Sequence, residues 1–263
     1  MEHLIWNIDP TILHIGPLQL RWYGLFFVGS FFVGLLFMQY VYKKEHKDPN
    51  ELETLLFYLL IGTVIGARLM HCFAYKPDFY LAHPLEIVKV WKGGLASHGG
   101  LIGVLVAMYL FTKKYRLPYL WLISRIAIPG AFVAASIRIG NFFNSEILGL
   151  QTDVPWAIIF SRIDNIPRHP VQLYEALAYL VLFFILWKLY TMLSGTLFSK
   201  LAPGIFFFYV FTARFLLEYV KTRQADYTTS LPFTTGQLLS IPFIILGFIW
   251  MLWAFKSLNA SKE

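Results

Sequence analysis

The stretch from Arg138 to Gly149 holds the densest set of side chains able to do chemistry, with an arginine, two asparagines and a glutamate close together. Residues three and four positions apart share a helix face, so Arg138, Asn141 and Ser145 would point the same way. Glycine and asparagine, which recur in this stretch, are residue types that end helices. The pattern predicts a helix that breaks here and presents a guanidinium, amides and the carboxylate of Glu146.

A second candidate is His98, inside the glycine-rich run from Gly94 to Gly103. An unperturbed imidazole titrates at about pH 6.5, so His98 is a candidate general base. The glycines allow close approach of backbone or of a lipid head group, and they also have the small-xxx-small spacing of packed membrane helices. A hydrolase reading of Ser97 and His98 is weak, because adjacent helix residues point about 100° apart and no Gly-x-Ser-x-Gly elbow exists.

Composition indicates where these residues must lie. Of the 263 residues, 57% are hydrophobic and 14% charged, against roughly 45–50% and about 25% in soluble domains. The single cysteine, Cys72, excludes an internal disulfide framework, and no Cys/His spacing predicts a metal site. The formal charge of +7 comes from short lysine and arginine clusters at the ends of apolar segments, which favours a membrane protein and no nucleic-acid partner.

Seven windows of mostly apolar residues have the length of about 20 residues that crosses a hydrocarbon core. They run from 20 to 42, 52 to 74, 95 to 112, 119 to 139, 171 to 192, 203 to 220 and 236 to 255. The third is the weakest, because Ser97-His98-Gly99-Gly100 opens it, and a partly re-entrant segment is the alternative. We therefore expect an all-α, polytopic membrane helix bundle of about seven transmembrane helices, forming one domain over 1–263.

The densest basic clusters, Lys43-Lys44 and Lys113-Lys114, lie in short loops that fall on the same side of such a bundle. Because short cytoplasmic loops are enriched in lysine and arginine, we expect an N-out, C-in orientation. The longest interruption, residues 140 to 170, is then an outer loop, and loops of this length are often functional or lid-like.

Charges inside membrane spans cost roughly 2.5–3.5 kcal/mol on insertion scales, so each needs a reason. Those within or at the ends of the windows are Arg68, His98, Arg125, Arg138, Glu175, Arg214 and Glu218. Since helix directions alternate, all except Arg125 converge on one leaflet. Guanidinium binds phosphate through paired hydrogen bonds, so Arg138 and Arg214 are candidate phosphate holders. The alternatives are an Arg214–Glu218 pair at i,i+4 and a snorkelling Arg138; Arg68 and Arg125 are interpreted as structural.

The motifs together resemble the bacterial phosphatidylglycerol–prolipoprotein diacylglyceryl transferase family, and the resemblance runs through the whole chain. It rests on Arg21-Trp22-Tyr23-Gly24-Leu25, on the run from His98 to Gly103, on Arg138-x-Gly-Asn-Phe-x-Asn-x-Glu-x-x-Gly ending at Gly149, on Arg168-His169-Pro170-x-Gln172-Leu173-Tyr174-Glu175, and on Arg214 with Glu218. Two departures are Ile137 in place of the usual glycine and a displaced Arg223-Gln224-Ala225-Asp226 segment, which leaves Arg223 without an assigned role.

The resemblance implies transfer of the diacylglyceryl group of phosphatidylglycerol to the lipobox cysteine of a prolipoprotein signal peptide. A thioether forms and glycerol phosphate leaves, as the first step of lipoprotein maturation at the outer leaflet of the bacterial inner membrane. The implied catalytic residues are His98, Arg138 and Arg214, with Arg138 on the phosphate. The implied substrate-binding residues are Tyr23, Gly99, Gly100, Asn141, Glu146, Gly149 and Glu218. Membrane lipids are further partners, and no cofactor or metal is implied.

Three points stay open at this level. The role of His98 is either that of a base or that of a group that positions the lipid head. A lipid transporter or flippase is an alternative, although it predicts polar residues in both membrane halves and an internal repeat, and neither is apparent. A non-enzymatic assembly protein is another, and it predicts that replacing His98 or Arg138 changes stability and leaves turnover alone.

Overall fold

The computed structural model describes residues 3–15, 18–222 and 233–259, and these are mostly helical. The α-helices of the described residues are α1 (Trp22–Lys44), α2 (Glu51–Met70), α3 (Pro77–Ala82), α4 (Ser97–Tyr115), α5 (Tyr119–Phe143), α6 (Val171–Met192), α7 (Gly195–Leu217) and α8 (Thr235–Asn259). A π-helical turn, His71–Tyr75, continues α2, and a 3-10 turn, Glu218–Val220, follows α7. Each of the seven apolar windows thus folds as a helix.

Six helices among the described residues are long and apolar enough to cross a membrane: α1, α2 with its π-helical turn, and α5 to α8. This agrees with a polytopic helical membrane protein. The third window forms α4 but falls outside the six, since it opens with Ser97-His98 and ends near two lysines. The seventh span and the N-out, C-in orientation stay predictions.

Helix α7 begins at Gly195, earlier than the apolar window that starts at Pro203. The hydroxyl of Ser194 caps the helix by accepting the Leu197 N–H at 3.3 Å, a favoured arrangement at a helix start. Pro203 lies inside the helix, where membrane helices tolerate proline because other groups satisfy the freed carbonyl. The apolar window does not include the first turns of α7 because those turns contain polar residues.

The structure adds short strands to the helices expected from the sequence: β1 (Leu4–Trp6), β2 (Thr11–Ile15), β3 (Leu18–Arg21), β4 (Ile158–Phe160) and β5 (Pro167–Arg168). Antiparallel β2 and β3 lead directly into α1. In the second sheet, of order β1-β4-β5, β1 and β4 pair in parallel with Leu4 opposite Ile158. Strands of two to five residues carry too little periodicity to be recognised in the sequence.

The chain divides into two compact units, Met1–Phe37 with Ser124–Glu263, and Met38–Ile123. The expectation of one functional domain over 1–263 stays a prediction.

In the unit Met38–Ile123, α2 and α4 pack through glycines. A Cβ added to Gly103 would lie 1.9 Å from the carbonyl oxygen of Gly62, and one added to Gly99 would lie 2.2 Å from that of Gly66. Such approaches are possible only without side chains, which is the small-xxx-small geometry of membrane helices. Gly99 and Gly103 therefore have a packing role.

Arg68 of the same unit is buried. Its Nε donates to the carbonyl of Ile87 at 2.8 Å and Nη2 to that of Glu86 at 2.6 Å, while Nη1 donates to the carbonyls of Gly93 and Gly94. The guanidinium thus orders the segment before α4, and its role is structural.

In the unit Met1–Phe37 with Ser124–Glu263, the segment from 144 to 170 is packed against the end of α5. Phe160 of β4 is fully buried and joins Phe142 and Ile158 in a hydrophobic cluster with Trp6. The Trp6 and Phe142 ring centroids are 4.3 Å apart. Core packing therefore holds the centre of this segment in place. A freely moving lid would lack such packing.

Arg125, near the other end of α5 from the Arg138 motif, is also buried. It donates to the hydroxyls of Ser124 and Ser199 and stacks 5.4 Å from the Phe198 ring. It ties α5 to the first turns of α7, which is a structural role.

Candidate functional site

The centre of the candidate site is an ion pair between α5 and α6. Nε of Arg138 lies 2.7 Å from Oε2 of Glu175, and the two side chains are 16% and 2% exposed. Both residues lie near the helix ends that the 144–170 segment connects. A pair so removed from water is strongly coupled, and loss of either partner strands a buried charge.

From Arg138, hydrogen bonds continue into the loop after α5. Nη1 of Arg138 donates to Oδ1 of Asn141 at 3.1 Å, and Nδ2 of Asn141 donates to Oε2 of Glu146 at 3.0 Å. Nδ2 of Asn144 donates to the other Glu146 oxygen at 3.1 Å. The predicted helix break is confirmed, because α5 ends at Phe143. Two amides orient the Glu146 carboxylate, and the chain of bonds links it to Arg138.

The backbone around Glu146 has an unusual conformation. Ser145 and Ile147 on either side have φ values of 54° and 58°, a left-handed conformation that is rare for residues other than glycine and an outlier for a β-branched one. The Glu146 N–H donates to the Asn141 carbonyl at 2.9 Å, and Nε2 of the buried Gln172 donates to the Glu146 carbonyl at 2.6 Å. The loop is thus held from both sides.

Lys221 is a member of this cluster that no sequence motif indicated. Its Nζ lies 3.7 Å from Oε1 of Glu175 and 3.7 Å from Oε2 of Glu218, and its side chain is 4% exposed. Burial lowers the pKa of Lys221, and the carboxylates of Glu175 and Glu218 act in the opposite direction. The i,i+3 spacing between Glu218 and Lys221 could have indicated their pairing from the sequence. Nothing in the sequence indicated that Lys221 also lies near Glu175.

Arg214 on α7 is half-buried. It makes no ion pair with a carboxylate in the part of the chain that the structure describes. The alternative in which Arg214 pairs with Glu218 is therefore not what the structure has, because Glu218 faces Lys221 instead. The charges of Arg138 and Arg214 both act on Lys221, so three cations gather here.

Two carboxylates, Glu175 and Glu218, face these three cations, whereas the Glu146 carboxylate is held by amides. Like charges repel strongly where water is scarce. A cluster with one more cation than facing carboxylate is suited to bind an anion, and a phosphate accepts several guanidinium and ammonium hydrogen bonds at once.

Tyr23, in the first turn of α1, reaches this cluster through Gly140. A Cβ added to Gly140 would lie 2.8 Å from the Tyr23 ring and 3.2 Å from its Cα, so α1 approaches α5 only because Gly140 has no side chain. Tyr23 is within electrostatic range of Glu146 and Arg138. Tyr23, Arg138, Asn141 and Glu146, which the resemblance assigns to one site, thus interact within the same unit.

Gly149 and Glu218 also belong to this unit, in different ways. Gly149 forms an isolated antiparallel β-bridge with Lys221. A Cβ on Gly149 would lie 2.3 Å from the His169 carbonyl oxygen, so Gly149 acts through the main chain. A Cβ on Gly236 would lie 2.6 Å from the Glu218 carboxylate. The start of α8 therefore closes over Glu218.

His98 lies in the other unit, exposed in the first turn of α4. Gly99 is buried in the contact with α2, whereas a Cβ on Gly100 would make an ordinary contact, 3.5 Å from Thr63. The roles of these three residues in catalysis or binding stay predictions. The segment Arg223-Gln224-Ala225-Asp226 lies outside the described residues.

Comparison with known proteins supports the family resemblance of the sequence motifs. The family model of the prolipoprotein diacylglyceryl transferases matches residues 10–253. The chain is 47% identical over 262 residues to a phosphatidylglycerol–prolipoprotein diacylglyceryl transferase of Chloroherpeton thalassium, covering 99% of this chain and 98% of the relative. Enzymes of the same name from Tolumonas auensis and Bacteroides fragilis are 47% and 38% identical, over 96% and 94% of this chain and 98% and 93% of theirs. These names support the transferase reading and not the transporter. The chain belongs to the prolipoprotein diacylglyceryl transferase family.

Proposed function

We propose that this protein transfers the diacylglyceryl group of phosphatidylglycerol to the lipobox cysteine of prolipoprotein signal peptides. The cysteine sulfur forms a bond to the glyceryl carbon, the bond from that carbon to the phosphate oxygen breaks, and glycerol phosphate leaves with the electron pair. The thiol proton passes to a base. Beside the family membership, the observation that carries the proposal is the gathering of Arg138, Arg214 and Lys221 around fewer facing carboxylates.

Arg138 and Arg214 suit the change in charge during this reaction. A phosphodiester carries one negative charge, and the departing phosphate monoester carries about −1.5 to −2 at pH 7. Cations placed in advance around the phosphate stabilise the transition state more than the bound lipid. We assign Arg138 to binding of the lipid phosphate. We assign Arg214 to the negative charge that grows on the departing phosphate oxygen as its bond to the glyceryl carbon breaks.

The remaining predicted residues have supporting roles in this proposal. Asn141 and Glu146 orient Arg138 through the bonds already described, Tyr23 closes the site beside α5, and Glu218 places Lys221. Gly149 shapes the main chain, Gly99 lets the start of α4 pack against α2, and Gly100 leaves room for the lipid head group. In this proposal the site lies toward the outer leaflet of the bacterial inner membrane and takes its substrates from the surrounding lipid.

His98 is the proposed group for the thiol proton. A free thiol has a pKa of about 8.5 and is mostly protonated at pH 7, so a base of imidazole type accelerates its attack. If His98 is the base, His98→Gln abolishes the acid limb of the pH–rate profile. If it only positions the head group, His98→Gln raises KM for the lipid and leaves that limb in place.

The test uses purified protein in detergent with phosphatidylglycerol and a synthetic lipobox peptide, followed by mass spectrometry. The wild type is expected to add one diacylglyceryl unit to the peptide, and a peptide with serine in place of cysteine to stay unmodified. Arg138→Ala and Arg214→Ala are each expected to lower the rate about 100-fold or more, whereas Arg162→Ala, at an exposed position of the same unit, is expected to match the wild type. No mass gain with the wild type, or equal modification of the serine peptide, would overturn the proposal.

A further inference from the structure

Gln172, in the first turn of α6, is a polar side chain to which the reaction described above gives no part. It is fully buried, with an exposed fraction of 0%. Its Nε2 donates to the main-chain carbonyl of Glu146 at 2.6 Å, and its Oε1 has no hydrogen-bond partner within the described residues. Burying an amide whose oxygen has no hydrogen-bond partner is unfavourable. The presence of Gln172 at this position therefore needs an explanation, and the bond from its Nε2 offers one.

The acceptor of that bond lies at the centre of the left-handed turn. Ser145 and Ile147 both have positive φ, and such residues keep that conformation only where surrounding contacts hold it. Strained backbone of this kind concentrates at functional sites, where it fixes a side chain in advance. Here the side chain between the two strained residues is that of Glu146.

The two ends of the turn are tied down by other groups. On one side the Glu146 N–H donates to the Asn141 carbonyl at 2.9 Å. On the other, the Thr222 N–H and hydroxyl donate to the Leu148 carbonyl at 3.0 and 2.7 Å. The Gln172 amide holds the carbonyl of Glu146 itself, so it fixes the residue whose carboxylate accepts from Asn141.

We propose that Gln172 is a positioning residue for the transfer reaction. By holding the Glu146 carbonyl, it keeps the Glu146 carboxylate against Nδ2 of Asn141, which turns Oδ1 of Asn141 toward Arg138. Arg138 is then aimed by Asn141 on one side and by Glu175 on the other. Gln172 acts through Glu146 and does not touch the lipid. This inference rests on the proposed function and on the phosphate role of Arg138.

Two substitutions separate positioning from simple support of the fold. Gln172→Met has a similar length and no donor at any pH. Gln172→Glu has the same shape, and only its protonated form donates to the Glu146 carbonyl. The charged residues linked to this position are Glu146, whose carbonyl the side chain holds, and Glu175, which lies three residues further along α6 and pairs with Arg138. A loss caused only by poorer packing changes with neither donor capacity nor pH.

The experiment measures kcat and KM for phosphatidylglycerol from pH 5.5 to pH 8.5, with melting temperature recorded for each variant. Gln172→Met is expected to lower kcat about tenfold or more, with KM within about twofold of the wild type. The reason is that Arg138 still binds the phosphate but is less well oriented toward it. Gln172→Glu is expected to retain a larger fraction of wild-type kcat at pH 5.5 than at pH 8.5.

The control is Gln237→Met, which removes another buried glutamine whose Nε2 donates to a main-chain carbonyl, that of Phe215. It is expected to lower the melting temperature and to leave kcat near that of the wild type. An unchanged kcat for Gln172→Met, or the same fraction of wild-type kcat for Gln172→Glu at both pH values, overturns the inference. Absence of transfer by the wild type would instead refute the proposed function.

Discussion

The carboxylate of Glu175 joins Arg138 to Lys221. Its Oε2 lies 2.7 Å from Nε of Arg138, and its Oε1 lies 3.7 Å from Nζ of Lys221. One buried side chain of α6 therefore connects the end of α5 with the segment that follows α7. The groups proposed to bind phosphate are also groups that hold three elements together, so stability and activity have to be measured separately for each of them.

Glu175→Gln is expected to destabilise the protein by about 3 kcal/mol, because it leaves the charges of Arg138 and Lys221 buried with one carboxylate fewer. The measurement is thermal unfolding in detergent micelles. Glu53→Gln, at an exposed position, is the matched control and is expected to change stability by less than about 0.5 kcal/mol. Equal melting temperatures for Glu175→Gln and the wild type would show that the pair adds nothing to the fold.

The lowered pKa of Lys221 predicts a stability that rises with pH. Burial lowers the pKa of Lys221 in the folded protein below its ordinary value of 10.5. Between the lowered value and 10.5, the unfolded chain binds more protons than the folded one, so the free energy of unfolding increases with pH. Lys221→Arg removes this titration, since guanidinium stays charged throughout.

The quantity to measure is the difference in melting temperature between the wild type and Lys221→Arg from pH 7 to pH 10.5. It is expected to move in favour of the wild type as pH rises. Titration of other groups is common to both proteins and cancels in the difference. A difference that is constant over this range, or that moves in favour of the variant, contradicts the assignment.

The two glycines after His98 are expected to respond differently to the same substitution. Gly99→Ala places a Cβ 2.2 Å from the Gly66 carbonyl oxygen and forces α2 and α4 apart, whereas Gly100→Ala makes an ordinary contact at 3.5 Å. Gly99→Ala is therefore expected to lower the melting temperature clearly and Gly100→Ala hardly at all. The reverse order, or equal losses, would be inconsistent with the helix contact described.

The segment from 144 to 170 is expected to depend on its buried aromatic residue and not on its exposed one. Phe160→Ala removes a fully buried ring and is expected to cost about 3 kcal/mol of unfolding free energy. Trp156, with 61% of its surface exposed, donates one hydrogen bond to Tyr174 at 2.6 Å, so Trp156→Ala is expected to cost about 1 kcal/mol or less. Chemical unfolding of both variants distinguishes a packed layer from a loose cover, for which the two losses would be similarly small.

The apolar and polar patterns were sufficient to predict the long helices and the place where α5 ends. Apolar windows of membrane length formed helices because a backbone without water must bond to itself, and the glycines and asparagines after Arg138 stopped α5 at Phe143. The closeness of Arg138, Asn141 and Glu146 was predictable from the same motif because the three are near in sequence, whereas Tyr23 was assigned to this site only by the family resemblance.

The pairing of the charges, in contrast, could not be predicted before the helices were seen packed together. Spacing alone allowed Arg214 to pair with Glu218, yet Glu218 faces Lys221, and Arg138 takes Glu175 from another helix. The parallel pairing of Leu4 with Ile158 is of the same kind. Such contacts join residues far apart in the chain, and their free energy depends on burial and side-chain geometry that exist only after the helices have packed.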